Sequence, residues 1–445
     1  MLRKLQRAVA ALAVVCLLGS AAWANNPIIP GKPQDQPIAL VGGTVHPVDG
    51  PAIAGGVVLF DKGKIVAVGK DVQIPADAER VDVSGKHVFP GLIDPYTNIG
   101  LEEVGAAAAT IDTQEVGDAN PSAKAIVAVN AESTVIPVTR ANGVLSALTA
   151  PSGGTIAGLS AVINMDGWTW EDMAVEQVAG MHVSWPRSGG GGGRGRGRRG
   201  GGGGGNSGEA VQRIRETFAT ARAYMKAREA GGDQPFDSKW EGMIPVLQGN
   251  LPVFISANSE SEISNAVAFA DQENIMCVIV GGREADKCTE LLNRNDVPVI
   301  LSGVQRLPNG QDSPYDEAFT LPKRLQDAGV KYAISSAEGA ANVRNLPYHA
   351  ATAAAYGLSQ EDAVKSITLN AAEILGVGDR LGSLTANKDA TLVITDGDIL
   401  EVTTQVEMAF IRGAMVDLQS KHTLLYDKYL EKYRRLGVLN EPEQQ

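Results

Sequence analysis

The chain has 445 residues, is 44% hydrophobic and carries a formal net charge of -12, which excludes a disordered chain and leaves room for one large packed domain with a smaller companion. The acidic balance argues against general binding to nucleic acid or to anionic membranes. Cys16, Cys277 and Cys288 are its three cysteines and form no Cys-x-x-Cys pair. A disulfide between the later two is open in an oxidising compartment, and two lone thiols are the plainer reading.

In chain order, residues 1–24 place Arg3, Lys4 and Arg7 before an apolar run at 8–18 and close on Ala22-Trp23-Ala24. This is the pattern of a secretory signal peptide, too short for a membrane span, and it predicts an exported, periplasmic protein. Its removal takes three positive charges and no acid, which leaves a net charge of about -15. A lipoprotein reading of Cys16 is the less economical one. No later segment is apolar for long enough to cross a membrane as a helix.

Residues 36–88 alternate apolar and polar side chains in short runs punctuated by Gly42-Gly43, Asp49-Gly50 and Lys62-Gly63, which predicts a small antiparallel β unit. Matching runs recur at 390–394 and 408–411, so the two ends are expected to close one composite β-sandwich from 25–88 and 378–418. Between them, 89–377 alternates strand-like and helical patterns, the signature of a (β/α)8 TIM-like barrel in an α/β fold. Candidate strands after the first are 144–148, 160–164, 253–257, 276–280, 297–301 and 332–335, with the fourth placed at 181–185. Helices are expected at 210–230, 260–272, 284–293, 315–328, 346–355 and 360–375. Residues 188–208 are almost wholly glycine and arginine, too poor in apolar groups to offset their ordering entropy, and read as a mobile loop. Arg-Gly repeats also occur in RNA-binding segments, but in an acidic exported chain a spacer is the favoured reading. Residues 419–445 form a helical tail in which Leu425, Tyr429 and Tyr433 make an apolar stripe expected to pack on the body.

The run Pro90-Gly91-Leu92-Ile93-Asp94-Pro95-Tyr96-Thr97-Asn98 resembles the first barrel strand of the amidohydrolase superfamily, which reads Pro-Gly-Leu-Ile-Asp-x-His-x-His there. Arg344-Asn345-Leu346-Pro347-Tyr348, Ala355-Tyr356-Gly357-Leu358 and Thr368-Leu369-Asn370-Ala371-Ala372-Glu373-Ile374-Leu375-Gly376 are similar to its imidazolonepropionase-like branch. The resemblance implies hydrolysis of carbon-nitrogen bonds at a zinc or other divalent ion, which ionises water and polarises the scissile carbonyl. It also says where the ligands belong. The two first-strand histidines fall on Tyr96 and Asn98, the fifth-strand histidine on Ser256, the sixth-strand histidine on Gly281 and the eighth-strand aspartate on Ala337. None of the five is a good zinc ligand. Among the five histidines, His46, His87 and His422 lie away from the expected mouth, while His182 and His349 read as core or packing residues.

The expectation is therefore an amidohydrolase-like barrel without a metal. Its mouth, lined by Tyr96, Asn98, Ser256, Asn258 and Glu338, would hold a small amide or peptide-like ligand, or the chain would serve as a partner subunit of an intact relative or of its own copies. The competing expectation is an active hydrolase of amides, cyclic amides or dipeptides with a rebuilt site, Glu338 acting as base. No Gly-x-Ser-x-Gly elbow supports a serine hydrolase.

Overall fold

The computed structural model describes residues 28–187, 207–231, 235–336 and 339–439. Residues 1–27, which include the expected signal peptide, and residues 188–206 of the Gly/Arg run lie outside them, as do Ala337 and Glu338.

Five strands open the described chain: β1 (Ile38–Val45), β2 (Ile53–Asp61), β3 (Lys64–Gly69), β4 (Glu79–Asp82) and β5 (His87–Pro90). Eight follow, namely β6 (Leu92–Thr97), β7 (Val144–Thr149), β8 (Ile156–Asn164), β9 (Ala174–Ser184), β10 (Val253–Ala257), β11 (Cys277–Gly281), β12 (Val299–Ser302) and β13 (Tyr332–Ser335). The last three are β14 (Leu392–Thr395), β15 (Val406–Ile411) and β16 (Ala414–Met415).

The first and last groups share one eight-stranded sheet. β14 joins the amino-terminal half by pairing antiparallel with β5, Leu392 opposite Pro90 and Ile394 opposite Val88. Phe60, Phe410, Leu40 and Ile394 pack into its core. Both chain ends thus build one sheet, because each contributes strands with one apolar face and neither buries that face alone.

β6 to β13 form the second sheet in sequence order, curled until its two edges meet. β13 reaches β6 through side chains: Ser335 Oγ donates to Tyr96 O at 2.8 Å and Ser336 N–H to Asp94 Oδ2 at 3.1 Å. The lumen is filled by Ile93, Leu148, Val162, Phe254, Val280 and Ile300, so this is a packed core and no pore. Gly180 on β9 makes room for it, since a Cβ there would stand 2.1 Å from the Phe254 ring.

All seven expected strands of the barrel's later course, the fourth included, overlap observed ones. The expected all-parallel order needs correction: β8 runs antiparallel to both β7 and β9. Only residues 150–155 link β7 to β8, too few for a parallel crossover, and Gly153 and Gly154 turn the chain with positive φ. The expected helix 360–375 is two, Gln360–Ser366 and Leu369–Ile374, broken where Ile367 O accepts the Ile93 N–H at 2.8 Å and so anchors β6. The expected loop ends early, because the helix Ser207–Glu229 takes its last two residues.

The tail helix Lys421–Arg435 begins on a capping box at Ser420 and buries none of its residues. Leu425, Tyr429 and Tyr433 remain exposed, which corrects the expectation that this stripe packs on the body. Its contact with the body is at its first turns, where Arg344 Nη1 lies 2.9 Å from His422 Nδ1. Among the described residues no helix is long and apolar enough to cross a membrane. Cys277 and Cys288 are separate buried thiols.

Candidate active site at the barrel mouth

The carboxyl ends of the barrel strands are where such folds place their chemistry, because loops of many strands converge there on a rigid rim. β6 carries Asp94 and Tyr96 to that rim. Asp94 is fully buried; its carboxylate accepts the Tyr96 N–H at 3.2 Å and the Ser336 N–H at 3.1 Å. Burial pushes its pKa up to about 6, against the pull of the Ser335 and Ser336 hydrogen bonds. Tyr96 is held by these bonds and packs against the lumen residues. Burial raises the pKa of its phenol, a shift that a hydrogen bond to the Ser256 side chain opposes.

The expected site residues divide into two groups. Tyr96 and Asn98 line a mouth cavity of about 540 Å³ together with Glu102, Arg283, Arg306 and Ser336, and Ser256 meets Tyr96 beside it. The Asn98 carboxamide donates to Glu102, while its Oδ1 is buried without a hydrogen-bond partner among the described residues. Asn258 and Gly281 meet each other one strand further round: a Cβ on Gly281 would stand 2.6 Å from Asn258 Oδ1, and the Asn258 N–H is held by Glu262 at 2.9 Å. Gly281 itself has φ +106°. Ala337 and Glu338 lie outside the described residues.

Two histidines border this region. His182, on β9, is buried and stacks on Phe254 at 4.9 Å, with the Tyr96 ring 5.8 Å away. Burial drives its pKa down to about 3, so the imidazole is neutral, and neither ring nitrogen has a hydrogen-bond partner among the described residues. His349 is also buried and lines the cavity. Its Nδ1 accepts the Val304 N–H at 3.2 Å, which fixes the loop after β12.

A divalent ion of the kind the resemblance implies needs three or four converging imidazole, thiolate or carboxylate donors. Among the described residues no three histidine, cysteine, aspartate or glutamate side chains gather to hold one. Among the described residues the donors at the rim are a phenol, hydroxyls and carboxamides with one carboxylate, Glu102, and one imidazole, His349, while Asp94 is turned to backbone N–H groups. This set does not fit zinc. It does suit hydrogen bonding to a neutral polar ligand. A larger cavity of about 1070 Å³ opens at the other end, between Leu251, Pro252, Asp296, Val297 and Lys331. Those residues sit at the amino ends of the strands, away from every expected site residue.

Sequence reasoning passed over Arg283 and Arg306, which the loops after β11 and β12 bring into the cavity. Asp94 was visible within the strand motif but carried no assigned role.

Comparison with known proteins places these features. The sequence profile of the Amidohydrolase family matches residues 257–421. The amidohydrolase tasK of Hapsidospora irregularis is 25% identical over 430 residues, 88% of this chain, which spans 42% of that relative's length. A crystal structure of an amidohydrolase from Thermotoga maritima MSB8 is 28% identical, with a TM-score of 0.74 over 85% of this chain and 99% of the other. A prolidase structure complexed with N-methylphosphonate-L-proline, at 17% identity and a TM-score of 0.54 over 86% of this chain and all of that one, shares the fold.

Proposed function

We propose that this chain, a protein of the amidohydrolase superfamily, uses its barrel mouth to bind a small amide or peptide-like ligand without a hydrolytic metal, as a degenerate member of the imidazolonepropionase-like branch. The observation that carries the reading is the donor set at the rim. Tyr96, Asn98, Ser256 and Gly281 stand where the resemblance puts metal ligands, and no three metal-holding side chains gather among the described residues. A cation with few donors cannot ionise water near neutrality. The same rim offers a hydrogen-bond acceptor that the described residues leave unused, at Asn98 Oδ1; such a buried group costs roughly 1–3 kcal/mol until a ligand or water meets it. The amino-terminal leader would export the chain to the periplasm, where it acts alone, as a homo-oligomer or beside an intact relative.

The alternative, hydrolysis of carbon-nitrogen bonds by metal-free acid-base chemistry, draws on Asp94, whose pKa near 6 suits proton transfer. Incubation with amides and dipeptides, followed by mass spectrometry and by thermal unfolding, separates the two. The expected result is a melting temperature that rises with ligand concentration while the ligand stays intact. Cleavage that tracks with the purified protein would overturn the binding reading.

A further inference from the structure

Arg283 and Arg306 reach one cavity from neighbouring loops, and neither is paired with a carboxylate among the described residues. Arg283 makes no hydrogen bond or ion pair among the described residues. Arg306 Nη1 donates only to neutral acceptors, Leu307 O at 3.3 Å and Asn309 Oδ1 at 2.9 Å, and its Nη2 has no partner among the described residues.

The nearby acids among the described residues are committed elsewhere. Glu317 accepts the Asn309 N–H at 2.9 Å and its Nδ2 at 3.0 Å. Asp286 pairs with Arg324 at 3.1 Å. Glu284 holds Lys287 at 2.9 Å and the Glu260 N–H at 2.8 Å. Across the cavity Glu102 accepts from Asn98. An exposed guanidinium, Arg283, and a half-buried one, Arg306, thus face one cavity, and burial together with the charge of Arg283 lowers the pKa of Arg306. An arrangement of this kind is unfavourable for the empty protein and favourable once an anion arrives. Guanidinium groups are planar forks that match a carboxylate's two oxygens, and such charge-assisted bonds are about twice as strong as neutral ones.

We propose that the mouth cavity reads a carboxylate: Arg283 and Arg306 receive the anionic end of a short peptide or N-acylated amino acid, whose amide lies toward Asn98 and Ser336. A cavity of about 540 Å³ falls in the usual range for such small ligands. This inference rests on the reading of the mouth as a binding site and names the ligand class that site takes.

The test uses the full chain and a panel of N-acetylated dipeptides, each supplied as the free acid and as the carboxy-terminal amide, with affinity measured by calorimetry and thermal unfolding. The free acids should bind about 10- to 100-fold tighter than their amides, with a preference that weakens as salt is added. In the Arg283→Gln/Arg306→Gln variant that preference should fall to about twofold or less. Its melting temperature without peptide should be unchanged or higher, because two like charges no longer face each other. Arg283→Lys should keep part of the preference. Equal binding of acids and amides by the wild-type chain overturns the carboxylate inference and leaves the mouth as an amide site. A preference that persists in the double variant overturns the assignment to these arginines. Binding of neither form overturns both this inference and the reading beneath it.

Discussion

Gly281→His is expected to destabilise the folded chain by roughly 2–5 kcal/mol and to create no zinc site. Gly281 ends β11 with φ +106°, a backbone conformation that a residue with a Cβ rarely adopts. A Cβ there would lie 2.6 Å from Asn258 Oδ1 and 3.1 Å from Ala257 O. The Asn258 carboxamide can swing aside, but the carbonyl and the dihedral cannot. Denaturant unfolding measures the loss, and Gly281→Ala, which shares the backbone strain, separates it from the crowding of the imidazole. A histidine variant as stable as the wild type, or one that added zinc stabilises, would contradict the account of this position.

Asp94→Asn should remove a pH dependence of about 3 kcal/mol from the stability of the chain. The carboxyl titrates near 3.8 when unfolded and near 6 when folded, because burial disfavours its charged form. A folded-state pKa raised in this way means that the native state holds the proton more tightly. The resulting stabilisation is fully present below about pH 4, is lost as pH rises through about 6, and is absent above that. The carboxamide cannot titrate but can accept only one of the two N–H groups that Asp94 holds, so the variant should carry a constant loss and gain up to about 3 kcal/mol relative to the wild type between pH 4 and pH 8. The difference between the two unfolding curves isolates this group from all others that titrate. A difference that does not change with pH would show that Asp94 is not held in the buried, hydrogen-bonded state described for it.

Much of the architecture was legible in the sequence, because apolar strands of four to eight residues and amphipathic helices leave periodic traces. Residues 346–355 were expected to be helical and are, and the two ends of the chain were expected to share strands and do, across the pairing of β14 with β5. The direction of β8 was hidden in a loop length: the expected strand began at Ser160, whereas the observed one begins at Ile156, and the missing residues shortened the true connection below what a crossover needs. The break between Ser366 and Leu369 was invisible because its cause is tertiary, a hydrogen bond from Ile93 to Ile367. The tail helix misled for the opposite reason. Its stripe of Leu425, Tyr429 and Tyr433 has the spacing of a packed face, and spacing alone does not say whether a face finds a neighbour.

At the site, the strand-end positions were readable because β6 and β10 repeat a two-residue period that aims alternate side chains one way. Tyr96 and Asn98 share a cavity, and Ser256 meets Tyr96. The arginines were not readable. Arg283 and Arg306 lie on loops whose course depends on packing elsewhere, including the His349 ring that accepts the Val304 N–H. A charged residue in such a loop leaves no sequence trace of which cavity it enters.

The most direct measurement is elemental analysis of the purified chain, produced in medium supplemented with zinc, manganese and iron and then dialysed. The account predicts well under one metal ion per chain and a melting temperature that a chelator leaves unchanged. One or two tightly held ions per chain, with a melting temperature that falls when they are stripped, would contradict it.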